Sequence, residues 1–471
     1  MSTREHVVVA GGGIGGLACA LAFARNGHRV TLIERDHLPL MPDADAAFRA
    51  ARRGAPQVHQ THGFLARMVV LLRERFPDVL TALKAAGCST MSGTANLGES
   101  RPGDEDLAVL IVRRTTLEWV LRQATLAEPL VELCTAAVTG LTVDETADGA
   151  VPVVDGVRLE DGICIRGDVV VAANGRRADV PAWLREVGVQ VPETIRESGL
   201  MYVSRWYALP ADGHIELNPK LGGDLGFVKY LGVPGDGDTL SVTLAIRAED
   251  TKLRAALADE DRFDLACRTL PGPDRFFRDG PLVPLTPVKP MGGLLNRIRR
   301  FTHGDGDPVV LGFHAVGDAH TCTNPLYGRG CSLAMVQAVL LADATVAHPG
   351  SARERAVAYE AACRTEIEPW WEISVQMDKL GADPAGFGGL GGAAEAPGAK
   401  AMAAVFVAAA TDPVIGRAMA RFWNLLSTPA DLMNDAELLA RIAAVMADPE
   451  AHPLPPREGP TRDALLETLA A

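Results

Sequence analysis

The chain has 471 residues, 48% apolar and 22% charged, a globular balance that excludes wholesale disorder and leaves room for two or three lobes. Its formal net charge is −13 and no long Lys/Arg block occurs, which argues against a nucleic-acid partner, since phosphate binding needs a basic face. Eight scattered cysteines, with no C-x-x-C pair and no metal-ligand spacing, fit a reducing cytoplasm and no metal centre.

The first predicted element is a βαβ unit over residues 7–36, VVVAGGGIGGLACALAFARNGHRVTLIERD. An apolar run enters glycines, an alanine-rich helical pattern follows, and a second apolar run ends at Glu34. Gly11, Gly13 and Gly16 stand at G-x-G-x-x-G spacing. One glycine permits the tight turn, one lets backbone approach a pyrophosphate, and one lets helix pack closely on strand. The helix N-terminus offers free N–H groups and a positive dipole end to phosphates. Glu34 stands where a carboxylate reaches a ribose hydroxyl. Glycine spacing alone is common; the strand before, the helix after and the terminal acid make this a dinucleotide site of undetermined kind. No basic segment and no A-x-A site accompany the apolar stretch 7–24, so a signal peptide is not expected.

A Pro- and Arg-containing loop is expected over 37–58. Its short basic stretch, Arg49 to Arg53, reads equally as a solvated face or an anion site. Helices are expected over 63–75 and 78–86. A strand ending near Arg113 and a helix starting at Thr115 or Thr116 follow, with Leu117, Val120, Leu121 and Ala124 on one face. Residues 131–171 alternate apolar runs with Asp-Gly turns and read as a meander returning to the nucleotide sheet. Residues 199–250 read as a second sheet rich in β-branched and aromatic residues, with PGDGD as a hairpin turn. VVLGFHAVGDAH, residues 309–320, predicts a strand into the loop TCTNPLYGRG, and CSLAMVQAVLLADATVA a helix. The remainder is helical, broken by GADPAGFGGLGGAAEAPG. Its GFGGLGG, residues 386–392, lacks a preceding strand and a following acid-terminated strand, so only one dinucleotide-binding unit is expected. AMAAVFVAAA, residues 401–410, is too short to span a bilayer and reads as a buried or interfacial helix. Trp370 and Trp371 read as core packing.

Two further motifs join the glycine turn. Gly317-Asp318 closes an apolar strand and is followed by Pro325, Gly328, Gly330 and a helix. An aspartate there can accept hydrogen bonds from a polyol, glycine-bracketed backbone can lie flat against a ring, and the helix N-terminus can face a negative ring edge. Arg114 opens a helix as R-x-x-L. With GGGIGGLA and Glu34-Arg35, then DVVVAANGRR, then GDAHTCTNPLYGRGCS in this order, the sequence resembles the group A FAD-dependent monooxygenases, the flavoprotein aromatic hydroxylase superfamily, over most of residues 5–345. Asn174 stands where the second motif usually has aspartate, and Ser332 where many members carry asparagine. RRGAPQVHQTHGFL, RRTTLEWVL and NGRRADVPAWLREVG further resemble an actinobacterial branch of squalene-epoxidase-like and polyether-epoxidase-like enzymes. That branch usually has a basic residue and two histidines after Pro-Gln; of His59, Gln60 and His62, only His62 matches cleanly.

The resemblance implies an α/β fold. A glutathione-reductase-type, Rossmann-like FAD-binding domain would cover 1–198, with a helical insertion at 55–90, and return over 301–345. An interleaved β-sheet substrate domain would cover 199–300, and a helical C-terminal region 346–471. FAD would be held by Gly11, Gly13, Ile14, Gly15, Gly16, Glu34, Arg35, Arg114, Gly317, Asp318, Pro325, Gly328, Gly330, Cys331 and Ser332. The implied reaction inserts one oxygen atom from O2, as hydroxylation or epoxidation, into an apolar aromatic or olefinic small molecule through a flavin hydroperoxide, as in secondary metabolism. NAD(P)H would either bind transiently over the flavin or feed a separate flavin reductase. No obligatory catalytic side chain is expected, because the cofactor carries the hard chemistry. The candidates are His62, Tyr230 and Tyr327, with Arg205, Lys229, His320 and Asn324 as further polar groups near the flavin. The expected partners are a lipophilic substrate and O2, with membrane contact at most peripheral, in a cytoplasmic monomer or homodimer. A reductase or dehydrogenase of the geranylgeranyl-reductase kind is the main alternative. A halogenase would carry W-x-W-x-I-P where this chain reads GFVKYLGVPG, and the departures at Asn174 and Ser332 keep a flavin-binding sensor or scaffold in view.

Overall fold

The computed structural model describes residues 4–94, 97–144, 151–177, 179–210, 222–278, 282–304, 306–381, 397–453 and 458–471. β1 (His6–Ala10), α1 (Ile14–Arg25) and β2 (Arg29–Glu34) form the expected βαβ unit. The 37–58 segment is not the loop expected. Asp43 accepts from the Ala46 N–H and caps a short helix, α2 (Ala44–Arg49), and a 3-10 turn spans Pro56–His59. α3 (Ala66–Arg75) starts later than its apolar pattern, because Phe64 is held extended in a bridge to Leu110. α4 (Pro77–Ala85) opens on a proline, whose missing N–H costs nothing there. β3 (Ser89–Ser92) and β4 (Ala108–Ile111) pair antiparallel, and α5 (Arg114–Leu126) follows.

The 131–171 stretch divides between two sheets. β5 (Val131–Thr135) pairs in parallel with β2, while β6 (Val138–Val143), β7 (Val154–Leu159) and β8 (Cys164–Arg166) make an antiparallel meander. β9 (Val169–Ala172) then returns beside β1. α6 (Val180–Glu186) and β10 (Glu193–Glu197) lead to β11 (Leu200–Ala208), β12 (Gly222–Asp224), β13 (Val228–Gly235) and β14 (Thr239–Arg247), with the expected turn between the last two. α7 (Thr251–Leu257) and α8 (Glu260–Thr269) precede the short strands β15 (Val283–Pro284) and β16 (Lys289–Met291), both paired to β11. β17 (Leu295–Arg299) pairs with β10 and with β19 (Thr321–Cys322). The strand expected over 309–320 shrinks to β18 (Phe313–Ala315), because Leu311 pairs with Val153 instead. α9 (Gly330–Ala347), α10 (Ala352–Glu366), α11 (Glu368–Gly381), α12 (Pro397–Ala408), α13 (Pro413–Trp423), α14 (Pro429–Met433), α15 (Ala436–Ala447) and α16 (Arg462–Ala470) complete the chain. The GFGGLGG loop lies outside the described residues.

The central sheet is parallel, in the order β18-β9-β1-β2-β5. Its valines are buried on both faces, as strands under two helical or sheet layers are. Val7 and Val9 pack with α1, α5 and α9 on one side, and Val8 with the β6-β7-β8 meander and Trp183 of α6 on the other. α9 is long and apolar enough to cross a bilayer, yet 67% of it is buried inside the fold, where it packs on α1 and α10 as a core helix. The second sheet runs β12-β13-β14-β11-β15, and one face is sealed by α7, α8 and α16 around Val203, Tyr207, Leu244 and Phe263. Trp370 and Trp371 are buried, and so is most of the 401–410 run in α12.

Candidate functional site

The glycine turn and the second sheet open onto one cavity of about 640 Å³. Its lining includes Gly11, Gly13, Ile14, Gly15, Glu34 and Arg35 from the βαβ unit. Gly317, Asp318, Pro325, Gly328, Gly330 and Cys331 line it from the return segment, and His62 and Arg114 from between. Residues more than 300 apart in sequence therefore share one wall, at the carboxyl ends of β1 and β2, where ligands of open α/β sheets sit.

The glycines do different work. A Cβ on Gly16 would lie 1.7 Å from the Gly11 carbonyl oxygen, and one on Gly11, at φ +113°, would lie 2.6 Å from the Ala173 oxygen. Those two allow backbone to touch backbone. A Cβ on Gly13 would meet nothing within 4 Å. Of the three, Gly13 alone has open space where a side chain would stand, so room is kept there for a ligand rather than for packing. Glu34 braces the turn: Oε2 accepts from the Gly12 N–H at 2.9 Å and Oε1 from the Asp36 N–H at 2.8 Å.

Two helix N-termini meet the cavity without their usual capping groups. α1 starts after Gly13 and α9 after Arg329; neither has a side-chain cap or an acid in its first turn. Their free N–H groups and positive dipole ends suit a pyrophosphate and an anionic ring edge. Buried polar atoms without a hydrogen-bond partner in the fold cluster nearby. Asn174 Oδ1 is one, and Arg52 Nε is another, although the Arg52 guanidinium is ion-paired through Nη2 with Glu118 at 2.6 Å and through Nη1 with Glu34 at 3.7 Å and Asp36 at 3.6 Å. Both residues line the cavity. An orphaned buried amide oxygen is costly unless a ligand completes it. Asp318 is half-buried in the cavity wall, and desolvation there pushes its carboxyl above the usual range against the pull of Arg114, Arg176 and Arg297. This donor and acceptor set, together with the open space at Gly13, fits FAD.

His62 and Arg114 form a locked pair in the wall. Arg114 Nη1 donates to His62 Nε2 at 2.9 Å, and the opposite ring N–H, Nδ1, donates to the Gln60 carbonyl at 2.8 Å. Burial and then the Arg114 charge push the His62 pKa down to about 3, so the ring stays neutral. His62 is therefore a fixed spacer and acceptor at neutral pH rather than an acid.

The second sheet presents Tyr202 and Ser204 of β11 and Thr243 and Ala245 of β14 to the cavity. Period two of the strand turns Val203 and Tyr207 into the apolar core behind and puts Arg205 on that same side, paired with Glu260 and Asp264. Lys229 lines the cavity and lies 3.5 Å from Asp224; Tyr230 lines it too. The wall is thus more polar than the apolar surface expected, because β11 and β14 spend their hydrophobic alternation on the opposite face.

Several expected residues stand elsewhere. Gly16 is packed against Gly11, not exposed to the cavity. Ser332 is fully buried, and its Oγ accepts from the Leu65 N–H at 3.2 Å, so its side chain secures the 60–65 segment. Tyr327 donates to Asp378 at 2.7 Å and is turned out of the wall. His320 sits beside Thr321 and Glu360, and Asn324 accepts from Tyr202 and donates to Asp378; neither lines the cavity. Arg52, Gln60, Thr61, Asn174, Arg176 and Arg177 line it without having been singled out as site residues. Arg52 lay in the short basic stretch 49–53, which was the available signal. The alternation of β11 was the signal for Tyr202 and Ser204.

Residues 6–138 match the family model for FAD-dependent oxidoreductases. A protein of Mycobacterium tuberculosis, Rv3254, is 28% identical over 371 residues, 71% of this chain and 72% of its own length. The fold is similar to p-nitrophenol 4-monooxygenase PnpA from Pseudomonas putida DLL-E4, at a TM-score of 0.62 and 18% identity over 91% of this chain and all of that one. It is similar as well to PqsL, a probable FAD-dependent monooxygenase from Pseudomonas aeruginosa, at a TM-score of 0.58 and 19% identity over 81% of this chain and 96% of that one. The chain carries an FAD-dependent oxidoreductase domain within the α/β fold of flavoprotein monooxygenases.

Proposed function

We propose that the chain is an FAD-dependent monooxygenase, with NAD(P)H as electron source, that places one oxygen atom from O2 on a small molecule held against β11 and β14. The observation that carries this reading is the single cavity joining the glycine turn, the Gly317–Cys331 segment and the inner face of the second sheet. A simple nicotinamide enzyme would not need a second, distant cradle built on Asp318 and the α9 N-terminus.

FAD bound here supplies the two-electron and oxygen chemistry. The protein's part is binding, orientation and dryness. The N–H groups after Gly13 would receive the pyrophosphate, and Glu34 holds the turn in shape from behind. Asp318 would hold the polyol, and the N-terminus of α9 would lend its positive end to the ring. The neutral His62 keeps Arg114 aimed along the wall. The second sheet, sealed behind by α7, α8 and α16, closes one side to water, which suppresses side reactions of reactive intermediates.

Turnover with NADPH and isotopically labelled O2 on a panel of phenols and olefins tests this. One labelled oxygen atom in the product is expected. A product two hydrogens richer and free of label would replace this reading with a reductase. If NADPH alone does not bleach the flavin under anaerobic conditions, a separate flavin reductase supplies the electrons.

A further inference from the structure

A chain of hydroxyls crosses the second-sheet wall of the cavity, and its protons have one consistent placement. Gln60 is the fixed end. Its Nε2 donates to the Lys289 carbonyl at 3.0 Å, and a flipped amide would set Oε1 against that carbonyl oxygen. Gln60 Oε1 therefore points to Ser204, whose hydroxyl donates to it at 2.8 Å. Ser204 has then spent its only proton, so at its 2.7 Å contact with Thr243 it accepts. Thr243, donating to Ser204, must accept from Thr61 at 2.5 Å. Thr61, having given its proton to Thr243, accepts from Ser241. Every proton runs from Ser241 towards Gln60.

Tyr202, beside this chain, is committed in the same sense. Its hydroxyl donates to Asn324 Oδ1 at 2.6 Å, and that amide is oriented by Nδ2 donating to Asp378 at 2.8 Å. Thr61, Ser204, Thr243 and Tyr202 all line the cavity. Each has its proton used within the wall and keeps lone-pair capacity. The hydroxyl face of the wall offers acceptors only, and a buried acceptor left unmatched by a ligand is penalised.

The geometry points to Gln60 as a specificity-determining positioning residue. It polarises the hydroxyl chain so that the cavity takes a substrate presenting a hydroxyl or N–H donor to Thr61 and Thr243, while the fully buried Ser204 only relays the polarity from Gln60. An ether of the same shape is disfavoured. This rests on the reading of the cavity as the substrate site. Lys229, on the same cavity and 3.5 Å from Asp224, offers the competing arrangement, a carboxylate held by charge.

The test is equilibrium binding to the oxidised, FAD-loaded protein without reductant, followed by flavin absorbance and calorimetry. The probes are two matched trios: phenol, anisole and benzoate, and 2-naphthol, 2-methoxynaphthalene and 2-naphthoate. In at least one trio the hydroxyl member should bind on the order of 10-fold or more tighter than its methyl ether, as sites built around a hydrogen bond discriminate. Gln60→Leu removes the terminal acceptor, lets Ser204 donate to Thr243 instead, leaves Thr243 or Thr61 a proton for the cavity, and should bring the ratio towards unity by improving the ether. Thr243→Val cuts the chain at its middle and should also lower the ratio, which covers a Gln60 variant that does not fold. An ether or carboxylate bound as tightly as the hydroxyl member in both trios, a ratio unmoved by both variants, or no binding of either hydroxyl probe overturns the inference. No turnover is involved, so these outcomes are separate from those of the labelled-oxygen experiment.

Discussion

At the scale of single residues, the glycine motif separates into two physical roles that give opposite experimental results. Gly13→Val adds side chain only where nothing lies within 4 Å, so the apo fold should be kept while flavin uptake is abolished. A yellow Gly13→Val protein, or one with a lowered melting temperature without FAD, would contradict that. Gly16→Ala drives a Cβ to within 1.7 Å of the Gly11 carbonyl, and should cost about 1–3 kcal/mol in urea titration of the apo protein, the usual penalty of overpacking. The spacing of these glycines is legible in sequence. Which of them faces a ligand is not, because Ala173 and Asn174 from a distant part of the chain supply the contacts that decide it. The same holds for Ser332, whose motif position is legible but whose hydroxyl is taken by Leu65.

At the scale of elements, the hairpin turn after β13 does more than reverse the chain. Asp236 in that turn accepts from Arg113 through its backbone N–H at 2.6 Å, Nε at 3.1 Å and Nη2 at 2.7 Å, and from Thr116 Oγ1 at 2.8 Å. The Arg113 guanidinium also lies 4.9 Å from the Phe48 ring. This buried cluster ties the second sheet to the start of α5 and to α2. Asp236→Ala leaves the Arg113 cation buried with Asp45 alone and should cost about 3 kcal/mol or more, read from the midpoint of urea unfolding. A loss under about 0.5 kcal/mol, the range of ordinary surface substitutions, would mean that the clamp does not hold. PGDGD is readable as a turn from its residues. Its partner is not, since Arg113 lies 123 residues earlier in the chain, at the start of α5. The strand β11 teaches the same lesson. Alternation in LMYVSRWYAL separates Tyr202 and Ser204 from Val203, Arg205 and Tyr207, but only packing of α7, α8 and α16 shows which set is sealed.

At the scale of the whole molecule, burial sets the acid sensitivity. His28, His59, His62 and His314 all have their pKa lowered, by burial above all. A histidine whose folded pKa is depressed is neutral in the fold while the unfolded chain, near 6.5, takes up a proton. The unfolded state then binds more protons, so stability is present above about pH 6.5 and lost as the pH falls below it, down towards about 3 for His62. Urea unfolding at about pH 7 and about pH 5 should show this loss, and His62→Gln should reduce it by about 1 kcal/mol per pH unit. An unchanged difference between the two pH values would show that His62 is not held neutral.

The sequence by itself determined the βαβ unit, the order of the three cofactor motifs and the helical character of the C-terminal region. Those are local facts: glycine spacing, apolar period and strand-helix alternation act over a few residues, and their chemistry travels with them. Only the tertiary structure decided that Gly13 faces open cavity while Gly16 is packed, and that Arg52 and Asn174 join the site. It alone joined Gln60, Ser204, Thr243 and Thr61 into one hydrogen-bonded row along the cavity wall. Close approach and proton placement depend on atoms brought together from Gln60, Ser204, Thr243 and Lys289, and no local pattern contains that distance.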